Sequence, residues 1–241
     1  EFAQLIPGHS RAISNAGNSY IDDFESSEIP LDLKSFNAWS IASIPQGQDQ
    51  LFPEARLNND LNSGNNRARI AWYVIDPLFL RNGSSTPAHI KNDPETQSSH
   101  FVREIYENEI FPNRESQSGI PTTLSILNIA YYPNEKGPYN YDAEPGIFSR
   151  GINEQGRLNN PESRWGGIMR EVLTSDFETA NVQYIEFWMM DPFVEDPQHG
   201  GGDLYFNLGN VSEDILRDSR KSFENGLPSS ADVINVDTTS W

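Results

Sequence analysis

Asp22, Asp23 and Glu25 crowd carboxylates onto one short stretch, and on a strand Asp23 and Glu25 would share a face about 7 Å apart. A hard cation such as Ca²⁺ accepts such oxygens but needs several more from elsewhere. The same residues equally make an acidic strand end facing water, where carboxylates ordinarily lie. Asn58, Asp60 and Asn62 set oxygens at alternate positions, as an EF-hand loop does. Gly64 then comes one place late and Arg69 stands where the bidentate glutamate belongs, so the stretch reads as a turn-rich loop. His9, His89, His100 and His199 are scattered, without the paired spacing of a zinc helix. No metal site or cofactor is expected from them.

Nucleophilic catalysis has no better footing, because the chain lacks Gly-x-Ser-x-Gly and no serine carries a local signature. Glycoside hydrolysis needs two carboxyl groups at about 5 or about 9 Å, and 35 acidic residues give spacing no way to select a pair. "HGGGDLYFNLGN" is glycine-rich but leads into a strand pattern, so it sets no helix N-terminus against a phosphate. No catalytic residue is assigned. One aromatic constellation stands out: Arg164 beside Trp165 in "PESRWGG", with Tyr131, Tyr132, Tyr139 and Tyr141 nearby in sequence. Such rings stack on a sugar or a peptide, or they pack the core and its loops.

The elements that must position these groups read as β. With 17 Lys+Arg against 35 Asp+Glu the net charge is −18, which repels nucleic-acid phosphate. Cysteine is absent, excluding disulfides and thiolate chemistry. No run reaches the roughly 20 apolar residues of a membrane helix. Residues 1–19 read as a lead-in, and 20–241 as a single domain excised from a longer chain.

Within that domain, "SYIDDFESS", "FNAWSIASI" (36–44), "RIAWYVIDPLF" (69–79), "TTLSILNIAYYP" (122–133), "RWGGIMREVL", "VQYIEFWMMDP" and "GGDLYFNLGN" have strand composition. The 69–79 run should be buried on both faces and close at its Asp-Pro, and the 122–133 run should stop at Pro133. Helices are expected over 99–111 and 211–223. The roughly thirty polar residues from Asn134 to Ser163 are expected to be ordered by docking on the sheet. In "YIEFWMMDPF" apolar side chains occupy both faces, which places it at the centre of a sandwich. The sum is a mainly β fold, an antiparallel β-sandwich of jelly-roll type with two short helices and long loops.

Several long strings then point one way. "LIPGHSRAI", "SYIDDFESS", "NRARIAWYVIDPLF", "SSHFVREIYENEIFPN", "LNIAYYPNEKGPYNYD", "GRLNNPESRWGGIMRE", "DFETANVQYIEFWMMDPF" and "GGDLYFNLGNVSEDILRDSRKSFENGLP" together resemble the SprA (Sov) family of Bacteroidetes across nearly the whole chain. That family is the outer-membrane translocon of the type IX secretion system, also required for gliding motility. The resemblance implies a non-membrane piece of a large barrel protein that passes folded cargo to the cell surface. It also implies partners in the rest of the barrel, in other secretion components or in the cargo, and contact with the membrane only through the parent barrel. The implied location is the outer membrane, on the extracellular face rather than the periplasmic one. "YIDDFE" and the pair "YIEFWMMDP" and "GGDLYFNLG" are similar to galactose-binding-like jelly rolls, an analogy of fold that carries no ligand with it. The expected function is a non-catalytic structural and interaction domain, with a carbohydrate-binding module as the alternative and a carboxylate-dependent hydrolase as the third reading.

Overall fold

A computed structural model describes residues 33–113, 122–173, 176–177 and 184–219. The lead-in 1–19, the "SYIDDFESS" strand, His9, Asp22, Asp23 and Glu25 lie outside the described residues. What is described falls into two compact units, one of residues 33–171 with 203–219 and the other within 172–202.

The first unit is built on small antiparallel sheets with little helix, and is mainly β in that sense. Strand β2 (Ala68–Tyr73) pairs with β3 (Asn128–Lys136) so that Ile70 faces Tyr131 and Trp72 faces Ile129. The β-branched and aromatic residues favour this pairing, since their cross-strand contacts are the unit of sheet stabilisation. Strand β1 (Ser40–Ile41) pairs with β4 (Ile168–Met169), and the pairing extends through the Ala42 amide to the Gly167 carbonyl at 3.0 Å. The strand expected over 36–44 is thus reduced to two residues, preceded by a 3-10 turn at Phe36–Ala38. "RWGGIMREVL" likewise contributes only β4.

Pro133 does not end its strand. The register jumps from Arg69 opposite Tyr132 to Ala68 opposite Lys136, leaving residues 133–135 as a bulge. A bulge is where a sheet tolerates proline, which has no amide to give the ladder. It also has a use here. The Asn134 carbonyl accepts from the Leu158 amide at 2.8 Å, and the Glu135 carboxylate binds Arg69 at 2.7 Å and Arg157 at 2.6 Å. The bulge therefore fastens the long polar excursion, with Leu158 buried against it.

Every Asp-Pro in the chain starts a turn rather than merely closing a strand. Oδ1 of Asp76, Asp93, Asp191 and Asp196 accepts from the amides of Leu78 (2.8 Å), Thr96 (3.0 Å), Phe193 (2.9 Å) and Gln198 (3.3 Å). Aspartate satisfies an orphan amide while proline presets φ for the turn that follows. At the first two sites a short helix results, α1 (Pro77–Leu80) and α3 (Pro94–Ser98). The run expected as one strand over 69–79 therefore leaves the sheet after Tyr73. It is half-exposed beyond Ala68, because β2 has a single strand neighbour among the described residues.

Helix α2 (Ala88–Lys91) precedes α3, and the helix expected over 99–111 shrinks to α4 (Glu107–Ile110). Its expected first turns go elsewhere. The Leu124 amide bonds the Ile105 carbonyl and the Glu107 amide bonds the Thr122 carbonyl, both at 2.8 Å, a strand-like pairing that takes the groups a helix would need. Arg103 grips the Glu109 carboxylate at 3.0 and 2.8 Å, and the Tyr106 amide adds a bond at 2.9 Å. Those bonds, the arginine's first, hold the Glu109 carboxyl down to about 2. An unfolded glutamate titrates near 4.3, so this stability is present above that pH and is lost as pH falls through 2. Glu109→Gln is expected to lower stability by less than about 1 kcal/mol at pH 7, since the pair is over one-third exposed. The difference between wild type and variant, followed by thermal melting, should vanish below pH 2.

Residues 203–219 show neither the expected strand nor the expected helix. Arg217 and Ser219 have φ of 55° and 61°, outside the right-handed helix, and Asp214 accepts from the amides of Asp218 and Ser219. Ile215 and Leu216 are both buried. In the second unit "YIEFWMMDPF" is likewise no buried strand: it carries no ladder, and Tyr184 is 78% and Trp188 71% exposed. A strand needs a hydrogen-bonded neighbour, which its hydrophobicity alone does not supply.

Candidate functional site

The apolar core of the first unit is small. Ile44, Phe52 and Ala55 pack together with the half-buried Trp165 beside them. Around it the chain buries polar groups, notably Arg67, Arg164, Glu54, Asp142, Asn66 and Asn140. Buried polar groups must be hydrogen-bonded, and these organise the unit.

Arg164 is the hub. Its side chain and that of Asp142 are both 0% exposed, with Nη1 2.9 Å from Oδ2. Nη1 also donates to the Asn65 carbonyl at 2.7 Å, Nη2 to those of Gly151 and Asn159, and Nε to that of Asn159 at 2.9 Å. All five guanidinium protons are thereby engaged by the chain's own acceptors. The Asn140 side-chain amide donates to the carbonyls of Arg67 and Asn65, and its oxygen accepts from the Asp142 amide at 2.8 Å. Asn66 reaches the Phe148 carbonyl at 3.0 Å. The excursion is thus ordered by docking: it is sewn to the turn before β2 by side chain to main chain bonds. Gly64 and Gly137 permit that contact, because a Cβ at either would collide with the Tyr139 or Ala68 carbonyl oxygen.

Arg67 is the second hub. Its guanidinium donates to the carbonyls of Ala42 (3.3 Å), Pro138 (3.4 Å) and Ile215 (3.4 Å), which lie far apart in sequence. It lies 5.2 Å from the centre of the Trp165 ring, and Trp165 Nε1 donates to Glu54 Oε1 at 2.9 Å. Burial lowers Arg67 to about 10, against the opposing pull of Tyr139 and Glu54, so it remains a cation at neutral pH.

The aromatic constellation is therefore dispersed. Arg164 is locked inside, and the half-buried Trp165 packs edge-on to Phe52 with centroids 5.7 Å apart and lies beside the Arg67 guanidinium. Tyr131 and Tyr132 are successive strand residues on opposite faces. Tyr131 donates to the Arg164 carbonyl at 2.6 Å and is pushed up to about 12 by partial burial, while Tyr132 lies under Arg69. Tyr139 sits at φ 59° in the docked loop, and Tyr141 is exposed.

The other candidates take local roles. Asp60 Oδ1 accepts from the backbone and side-chain amides of Asn62, capping a 3-10 turn at Leu61–Gly64, and Asn62 Oδ1 accepts from Asn65. His89 lies within α2, and His199 stacks on Phe193 at 4.1 Å while its Nδ1 accepts from the Gly201 amide. Among the described residues no group of three or more His, Cys, Asp or Glu is placed to hold a metal ion, and no helix is long and apolar enough to cross a membrane. Among the described residues the buried carboxylates Glu54 and Asp142 are engaged by different donors, Glu54 by Trp165 and Asp142 by Arg164.

Spacing could not reveal the polar hubs, since Arg67, Asp142 and Arg164 lie far apart in sequence. Apolar groups are also open. Tyr184, Ile185, Met189 and Met190 in the second unit are exposed, and in the first so are Leu204, Tyr205, Phe206 and Leu208. Compared with known proteins, the chain matches no protein-family model and no curated protein.

Proposed function

We propose that this chain is a non-catalytic structural and interaction domain of a type IX secretion outer-membrane translocon of the SprA (Sov) kind, serving protein secretion and gliding motility. The carrying observation is the distribution of bonding capacity. Arg164 spends its guanidinium protons on the chain's own acceptors, whereas the apolar runs at 184–190 and 203–208 stay exposed on an acidic chain. Exposed apolar surface of this extent marks interaction sites. The long strings that resemble the family supply the rest of the reading, including its place beside the parent barrel on the extracellular face. The architecture that goes with the resemblance is an antiparallel sandwich of jelly-roll type, and the small antiparallel sheets of the first unit support its mainly β character.

The test is made in cells. Removing residues 20–228 from the full-length protein is expected to abolish secretion of cargo while the barrel still assembles in the outer membrane. Normal secretion with normal assembly overturns the proposal. Ser substitutions at Ile185, Met189, Leu204 and Leu208 form the milder arm. They alter exposed positions only, and are expected to lower secretion with the domain's melting temperature unchanged.

A further inference from the structure

Two guanidiniums share the Glu135 carboxylate. Its Oε2 lies 2.7 Å from Arg69 Nη1 and its Oε1 lies 2.6 Å from Arg157 Nη1. Arg56, Arg81 and Arg103 each have a carboxylate of their own, in Asp49, Glu104 and Glu109. Hydrogen bonds from Arg69 and Arg157 hold the Glu135 carboxyl below the usual carboxylate range, so it stays ionised at neutral pH. The trio therefore keeps one positive charge in excess, on a chain whose net charge is −18. Among the described residues each of the two guanidiniums makes one hydrogen bond, to Glu135, and the side chains are 56% and 54% exposed. Most of their N–H groups are thus open to a partner.

Both cations are held in place. Arg69 stands in β2 with its guanidinium 5.1 Å from the centre of the Tyr132 ring, the residue opposite it in the ladder. Arg157 closes a tight turn. Asn153 Oδ1 accepts from the amides of Gln155 and Arg157 at 3.0 and 2.9 Å, the Asn153 amide donates to the Arg157 carbonyl at 2.9 Å, and the next residue, Leu158, is buried. Groups ordered beforehand lose little freedom on binding.

Apolar ground adjoins the charge. By register, Arg69, Ala71 and Tyr73 of β2 share a sheet face with Tyr132, Ala130 and Asn128 of β3, and Tyr73 is 41% exposed. Along the strand, Ala130 lies about 7 Å from Tyr132, and Asn128, opposite Tyr73, about 13 Å.

Charge and shape choose the occupant. One surplus positive charge answers one carboxylate, whereas a phosphate dianion or a polyanion brings more negative charge than the trio offsets, to a chain that already repels it. A carboxylate also fits the flat edge of a guanidinium through paired hydrogen bonds. Because Arg69 lies over the Tyr132 ring, that face of the ring is taken, which favours a peptide over a stacked sugar. We propose that Arg69 and Arg157 receive a single aspartate or glutamate of a partner protein, carried on an extended segment whose apolar side chains two and four residues away lie on Ala130 and Tyr73. Glu135 keeps the two guanidiniums together. Exposed ion pairs contribute little stability, so the arginines can turn donors to the incoming carboxylate at small cost.

This inference rests on the reading of the chain as an interaction domain, and its experiment is done on the isolated 241-residue chain so that the two fail separately. The probe is the acetylated, amidated peptide valine-threonine-valine-threonine-glutamate, followed by NMR at the Nε–H signals of Arg69 and Arg157. Binding is expected to shift both signals. Glutamine in place of the probe's glutamate should weaken binding at least about tenfold. Serines in place of its valines should weaken it about threefold or more. The variant Arg69→Gln/Arg157→Gln should bind at least about tenfold more weakly while melting close to the wild type. Arg69→Lys keeps the charge but not the flat edge, and should weaken binding about threefold or more.

Unshifted arginine signals, equal binding of the glutamine probe, or equal binding by the doubly substituted chain overturns the proposal. Tighter binding of oligogalacturonate would assign the pair to an acidic sugar, and tighter binding of inorganic phosphate to a phosphate group; either result also overturns it. Should the double variant fail to fold, Arg69→Lys and the two probes decide. Lost secretion in cells with no peptide binding would remove the carboxylate proposal alone. Peptide binding with normal secretion would remove the translocon reading alone.

Discussion

Arg164→Ala is expected to lower the free energy of unfolding by about 3–5 kcal/mol, the cost of breaking a buried ion pair by removing one partner. The size follows from what is left behind. The Asp142 carboxyl group would be left without its cation in a site with 0% side-chain exposure, where its Oδ1 already lacks a hydrogen-bond partner among the described residues. The carbonyls of Asn65, Gly151 and Asn159 would lose their donors at the same stroke. A domain is stable by only about 5–15 kcal/mol, so the variant should sit near the edge of folding.

Urea titration at pH 7 measures the loss, and hydrogen exchange locates it in residues 140–159, which the guanidinium holds against the turn before β2. Asp142→Asn should cost less, because an amide oxygen can still accept from Arg164 at 2.9 Å while the charge attraction is gone. Combining Arg164→Met with Asp142→Leu should recover part of the loss, since an apolar pair leaves no orphaned charge. A loss below about 1 kcal/mol for Arg164→Ala would mean that water reaches the pair, contrary to its burial.

The sequence shows some of this directly and hides the rest for physical reasons. Mainly β composition, turn chemistry at proline and glycine, and the ordering of the 134–163 excursion are local signals, and local signals survive into the structure. Asp-Pro illustrates both sides. It marks the end of the 69–79 strand pattern, yet its aspartate caps the turn that follows, so the strand stops at Tyr73 rather than at the proline. Pro133 misleads in the opposite sense, because a bulge absorbs the missing amide and β3 runs on to Lys136.

Helix 99–111 fails because helical spacing says nothing of a competing partner, here Thr122–Leu124. The polar hubs are hidden altogether. Arg67 and Arg164 look like ordinary surface arginines until the fold brings Ala42, Pro138 and Ile215 around one, and Asn65, Asp142 and Gly151 around the other. "RWGG" did single out Arg164 and Trp165, but as a stacking surface. Burial reverses that assignment, since a guanidinium with every proton engaged has nothing left for a ligand.

Trp165→Ala is the second large effect, and it separates packing from polar satisfaction. Removing a packed tryptophan costs about 3–5 kcal/mol through lost burial and the cavity left behind. Here the ring also does two other things. It caps Glu54 through Nε1 at 2.9 Å and lies 5.2 Å from the Arg67 guanidinium. Glu54 is 1% exposed and its other oxygen, Oε2, already lacks a partner among the described residues.

Trp165→Phe keeps a ring against Phe52 but removes the donor, so it isolates the cost of leaving the Glu54 carboxylate unsatisfied, about 1–3 kcal/mol. Adding Glu54→Leu to Trp165→Phe should then be milder than the sum of the two single changes, because the buried acceptor disappears together with its lost donor. A double-mutant cycle by urea unfolding gives that coupling, expected at about 0.5–3 kcal/mol. Strict additivity would show that Glu54 finds water once the indole is gone. The Arg67 cation, rather than the tryptophan, would then be what makes a carboxylate tolerable in this core.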